Sequence, residues 1–178
     1  MSIVSDIEKL KKEKNAVILA HYYVDEDVQD VADYIGDSFY LSKVATKVSQ
    51  DRIIFAGVEF MGESAKILNP KKRVFMPDMN ADCPMAHMAD KDEILALREK
   101  YDDIAVVCYI NSTAELKKYS DVCVTSSNAV KIVKNLPNKN IFFIPDRNLG
   151  SYVAKQCPDK NFIFNNGCCP RHVVITKD

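Results

Sequence analysis

The sequence predicts an α/β protein built from two tandem, homologous three-layer α/β/α units with short parallel sheets, spanning residues 1–88 and 89–178. Three observations point there. Short apolar runs of strand length alternate with amphipathic segments of helical period, the pattern of parallel sheets covered by helices. The alternation restarts near residue 89, and the two halves align at an offset of 88 residues. The composition, 47% hydrophobic and 28% charged over 178 residues, is that of a globular chain and not of a disordered tail.

Met1–Asn15 is read as an amphipathic helix, with Ile3, Ile7 and Leu10 at helical spacing among lysines and glutamates. Ala16–Ala20 is a continuous apolar run, expected for a strand buried on both faces, and it ends in His21-Tyr22-Tyr23. Helices are expected over Asp27–Ile35 and Ser38–Val48, a strand over Ile53–Ala56, a helix over Phe60–Leu68 and a strand over Val74–Met76. A polar loop, Asp78–Pro84, then carries Cys83. The second half repeats this order: helix Lys91–Tyr101, strand Ala105–Cys108 ending in Tyr109-Ile110-Asn111, helix Ala114–Tyr119, strand Val122–Val124, helix Ser127–Leu136, strand Ile141–Ile144, helix Asn148–Lys155 and strand Phe162–Phe164. Its closing loop, Asn165–Pro170, carries Cys168 and Cys169.

At the offset of 88, His21 falls on Tyr109, Tyr23 on Asn111, Asp33 on Asp121, Ser38 on Ser126 and Gly62 on Gly150. With a two-residue slip, Cys83-Pro84 falls on Cys169-Pro170. The tail, Ile175–Asp178, stops where a further unit's leading helix would begin.

Several function classes are disfavoured. Lysine plus arginine number 24 against 25 acidic residues, so the chain lacks the positive excess that gripping nucleic acid requires. No apolar run approaches the roughly 20 residues that span a bilayer, and Met1–Lys14 is too charged for a signal peptide. A cytoplasmic chain with no nucleic-acid or membrane partner is expected. Its six cysteines are then reduced thiols or metal ligands. The five glycines never form GxGxxG, which argues against a dinucleotide fold.

Ligands of open parallel sheets bind beyond the carboxyl ends of the strands. His21, Tyr23, Tyr109 and Asn111 stand there. Ser38 and Ser126 are expected to open helices, where an N-cap serine and free amides would hold an anion. Cys108 and Cys123, within strands, are expected to be small buried hydrophobes, and Cys157 carries no signal. Cys83 and Cys169 lie in equivalent loops, where two thiolates suggest an iron–sulfur cluster held between units. His172 could reach the same centre, and His87 falls one position out of phase with it.

The segments ILAHYY, QDVADYIGDS, FMGESAKILNP, YINSTAELK, SDVCVTSSNAVKIV, PDRNLGSYVAK and GCCPRH, with the loop around Cys83, together resemble the quinolinate synthase family, the A protein of NAD biosynthesis. The resemblance implies three pseudo-symmetric units around a [4Fe-4S] cluster, one cysteine from each. It also implies a transferase that condenses iminoaspartate with dihydroxyacetone phosphate to quinolinate, phosphate and water. Carried over residue by residue, Cys83 and Cys169 are the cluster ligands. His21, Ser38, Tyr109, Ile110, Asn111 and Ser126 bind substrate, while Tyr23, Tyr109, His21 and His172 serve catalysis. The family's third unit, with its third cysteine and a His-Pro-Glu segment, is absent from this chain. Incomplete cluster ligation and little activity are therefore expected of the chain alone, and the face meant for that unit could pair two copies. Two alternatives stay open: a cluster-free dicarboxylate- or phosphate-binding module, and a thiol redox protein built on Cys168-Cys169.

Overall fold

A computed structural model describes residues 2–176, so the expected tail Ile175–Asp178 runs past the described residues at its last two positions. The chain divides into two compact units, residues 1–82 and 83–178. The expected boundary lay at 88/89. The loop after Cys83 goes with the second unit because Met85 and Ala86 are buried and the Met88 carbonyl accepts a 2.8 Å hydrogen bond from Asn165 Nδ2.

The first unit runs α1 (Ile3–Glu13), β1 (Ala16–His21), α2 (Glu26–Asp30), β2 (Tyr34–Gly36), α3 (Ser38–Lys47), β3 (Arg52–Ala56), α4 (Glu59–Leu68) and β4 (Arg73–Phe75). All its strands are parallel, in the order β2-β1-β3-β4. The second unit opens with a 3-10 turn, Pro84–His87. It continues α5 (Lys91–Lys100), β5 (Ile104–Tyr109), α6 (Ala114–Lys118), β6 (Val122–Val124), α7 (Ala129–Asn135), β7 (Asn140–Ile144), α8 (Arg147–Gln156) and β8 (Asn161–Phe164). Its parallel sheet has the same order, β6-β5-β7-β8.

The expected helix Asp27–Ile35 is overturned. Its first part is α2, but Tyr34–Gly36 is the edge strand β2, paired with Leu19–His21. The cause lies at Asp33, whose amide donates to the Ile18 carbonyl (2.9 Å) while its carboxylate accepts the Ile18 amide (2.8 Å). That two-way clamp turns the chain onto the strand edge. Asp121 clamps Val106 identically, at 3.0 and 2.7 Å.

Both faces of the second sheet are packed. Ala105, Val107, Ile141 and Phe143 meet α7 and α8 through Ala129, Val133 and Val153, while Val106, Cys108, Phe142 and Ile144 meet Ile94 of α5 and Leu116 of α6. In the first unit α3 and α4 bury Leu41, Ala45, Met61 and Ala65. On α1, by contrast, no residue is buried, and Ile7, Leu10, Ile18, Ile54 and Phe75 line an open apolar groove.

The repeat extends to single bonds. Lys72 Nζ donates to the carbonyls of Ala45 and Val48, and Lys160 Nζ to those of Leu136 and Asn138. A Cβ on Gly62 would meet Met76 Sδ at 2.3 Å, and one on Gly150 would meet Phe164 at 2.9 Å. At Gly150 the rings of Phe143 and Phe164 leave no room for a side chain, while at Gly62 the flexible Met76 side chain just past β4 would have to shift.

Candidate functional site

In the first unit, the site begins at the carboxyl end of β1. His21 pairs in register with Gly36, and the Tyr22 amide donates to the Gly36 carbonyl at 3.2 Å. This brings His21 beside the start of α3 and its Asp37-Ser38 pair. His21, Tyr22 and Tyr23 form a three-ring cluster with centroids 4.7–4.8 Å apart, one pair stacked and two edge-on. Tyr23 projects farthest, 79% exposed. Burial pushes the His21 pKa below its ordinary value, and the Asp37 carboxylate opposes that shift. Burial and the adjacent Tyr23 raise Tyr22, so its phenol stays protonated.

The second unit repeats the arrangement. Tyr109 pairs with Val124, and the Ile110 amide donates to the Val124 carbonyl at 2.8 Å. Ser126 follows two residues later, as Ser38 follows Gly36. Asn111 Oδ1 is buried and has no hydrogen-bond partner. A buried acceptor left unpaired costs roughly 1–3 kcal/mol unless something donates to it.

Neither serine caps a helix as expected. Asp37 is the N-cap of α3, its carboxylate accepting the Tyr40 amide at 2.7 Å, and Ser38 is the first helical residue. Helix α7 begins at Ala129 behind Asn128, whose Oδ1 takes the Thr125 amide at 2.7 Å, so Ser126 sits exposed in the preceding turn. Aspartate caps as well as serine, and Asn128 holds the cap position of α7 without a side-chain bond to the helix, its Oδ1 being taken by Thr125. The expected anion cradle at the first helix is thus partly filled by a carboxylate. This removes support from the reading of a simple anion-binding module.

The cysteine loops are equivalent in their anchoring. The Ala81 carbonyl accepts the Glu59 amide at the start of α4, and the Gly167 carbonyl accepts the Arg147 amide at the start of α8, both at 2.8 Å. Cys83 and Cys169 each follow two residues later. A Cβ on Gly167 would lie 2.3 Å from the Pro145 carbonyl oxygen, so only glycine fits ahead of Cys168-Cys169. The carbonyls of Cys83 and Cys169 close the next turns, accepting from Ala86 at 2.8 Å and from His172 at 3.1 Å. His172 itself is exposed. Cys83, Cys168 and Cys169 are partly exposed and in no disulfide. Soft thiolates are the donors that iron–sulfur clusters take. They fit as part of a ligand set only, because among the described residues no group of three or more His, Cys, Asp or Glu could hold a metal ion.

The model of the quinolinate synthetase A protein family (NadA) matches residues 5–178. The chain belongs to that family. It is 64% identical over 169 residues to a quinolinate synthase of Fusobacterium nucleatum, covering 95% of this chain and 57% of the relative. It is 53% identical over 176 residues to that of Caldicellulosiruptor saccharolyticus, covering 99% and 58%. A quinolinate synthase of Clostridium perfringens is 54% identical over all 178 residues, 59% of its own length. The chain therefore spans a little under three fifths of these quinolinate synthases. Both strand-end clusters and both cysteine loops lie inside the matched region.

Asp37 was missed by sequence reasoning. The GDS segment carried the signal, since an aspartate one residue ahead of the serine is as good a cap. The exposure of Cys123, expected to be buried, follows from its place on the edge strand β6. Cys108 is buried as expected, and Cys157, for which the sequence carries no signal, is buried too.

Proposed function

We propose that this chain carries two of the units of a quinolinate synthase, a transferase that condenses iminoaspartate with dihydroxyacetone phosphate to quinolinate, phosphate and two waters in cytoplasmic NAD biosynthesis. The observation that best supports this reading beside family membership is the duplicated strand-end constellation. His21, Gly36 and Ser38 in one unit have the same pairing as Tyr109, Val124 and Ser126 in the other. Such paired polar ends suit a substrate with two carboxylates.

In this reading Cys83 and Cys169 hold two corners of a [4Fe-4S] cluster. When bound, the cluster offers an iron without a cysteine ligand, a Lewis acid for a substrate oxygen. His21, neutral near pH 7 because burial disfavours its cation, orients a carboxylate by hydrogen bonding without adding a charge. Asn111 Oδ1, unpaired in the protein, accepts from the substrate's imine N–H or a hydroxyl. Ser38, Ile110 and Ser126 border the same substrate, and Tyr23, Tyr109 and His172 exchange protons with it. The chain alone, with an incomplete ligand set, is proposed to have little activity and to pair with a second copy.

The test uses a protein extended to the full length of its relatives. Asn111→Ala is expected to raise KM for iminoaspartate by about tenfold or more, the loss of about one hydrogen bond, with the fold retained by circular dichroism. An unchanged KM would remove Asn111 from the site. Quinolinate formation absent from the intact, cluster-loaded enzyme would overturn the reading altogether.

A further inference from the structure

The register of β5 and β6 sets Cys108 directly against Cys123. Residues paired in a parallel ladder point to the same face, so both thiols lie on the side covered by α5 and α6. Adjacent strands run about 4.8 Å apart, within the roughly 4.4–6.8 Å between Cα atoms that a disulfide bridges. Both thiols are free. Cys108 is 0% exposed, whereas Cys123, on the edge strand, faces solvent. Cys108 Sγ donates to the Tyr109 carbonyl at 3.4 Å, and the Cys123 thiol, the hydroxyls of Ser112 and Ser120 and the charge of Lys117 also bear on it.

We propose that Cys108 and Cys123 form a peroxide-sensitive modification site, in which a reversible disulfide ties β5 to β6. The Cys123 hydrogen bond, helped by Ser112, Ser120 and Lys117, brings the Cys108 pKa down to about 7 against the effect of burial. The same bond and burial raise that of Cys123. The pair can share one proton, and Cys123, on the exposed edge strand, is the sulfur an oxidant reaches.

The steps balance. Cys123 Sγ attacks one oxygen of hydrogen peroxide as its proton passes to Cys108; the O–O bond breaks, the other oxygen leaves as hydroxide, and Cys123 is left as the sulfenic acid. That hydroxide takes the proton back from Cys108 as water. The Cys108 thiolate then attacks Cys123 Sγ, forming the S–S bond and expelling a second hydroxide. Two thiol sulfurs are oxidised and one peroxide is reduced. Cys108 immediately precedes Tyr109, so the crosslink fixes the distance between the strand ends that lead to Tyr109 and Ser126.

The test is peptide mapping of the native reduced chain after one equivalent of hydrogen peroxide, quenched by alkylation and digested with trypsin without reductant. Two of the six thiols should disappear. The product should be peptide 101–117 linked to peptide 119–131, two hydrogen masses below their sum and released by dithiothreitol. In Cys108→Ser, Cys123 should instead be trapped by dimedone as the sulfenic acid. A Cys168–Cys169 bond with Cys108 and Cys123 both alkylated would overturn the proposal. So would a Cys108–Cys123 link that forms no faster in the native chain than in guanidinium.

Discussion

His21 shows how one side chain is tuned by two opposed neighbours. Burial disfavours its cation and Asp37 favours it, with burial the larger effect. A depressed histidine pKa means the neutral form is favoured by folding, so this stabilisation is fully present above the unfolded value near 6.5 and is lost as pH falls from there through the lower folded value. NMR titration should place His21 below 6.5, and Asp37→Asn should move it lower still by removing the opposing charge. A midpoint raised by that substitution would contradict the assignment. The strand-clamping aspartates make a second residue-scale case. Because each carboxylate accepts a strand amide, Asp33→Ala and Asp121→Ala are each expected to cost about 1–3 kcal/mol. Denaturant melts that leave stability unchanged would show that β2 and β6 do not depend on them.

Among elements, the two leading helices occupy corresponding places in the repeat but differ in commitment. Ile94 of α5 is 0% exposed, whereas Leu10 of α1 is 51% exposed. Ile94→Ala should therefore cost about 2–5 kcal/mol and Leu10→Ala less than about 1 kcal/mol. Similar losses at both would mean that α1 packs as tightly as α5. The elements that were legible in the sequence are the inner strands: β1, β3, β5 and β7 read as apolar runs because each lies between two other strands with apolar side chains on both faces. The strand β2 did not. Tyr34-Ile35-Gly36 is a three-residue exposed edge that continues the period of the helix before it. The offset of 88 maps it onto Val122–Val124, which was recognised, so the repeat held the missing information. Caps were legible only in part. Thr113 caps α6 by accepting the Leu116 amide, but the aspartate that caps α3 and the asparagine at the cap position of α7 stand in segments where serines are equally good candidates.

At the scale of the molecule, duplication is the organising fact, and it reaches from strand order down to individual hydrogen bonds. The equivalence of Cys83 and Cys169 rests on it twice. Their Cys-Pro sequences align at the two-residue slip, and Ala81 and Gly167, with the same slip, anchor their loops to α4 and α8. Cys168, one position out of register, has no counterpart. The positions of the cysteine loops were legible for that reason, while the ligand set was not, because two loops in a sequence do not reveal how many donors meet. The most direct test is iron and acid-labile sulfide content after anaerobic reconstitution of the full-length protein, with Cys83→Ala, Cys168→Ala and Cys169→Ala side by side. The expected result is about four irons per chain in the parent and in Cys168→Ala, with loss of the cluster in the other two. Iron retained by Cys169→Ala and lost by Cys168→Ala, or a parent that binds none, would contradict the account.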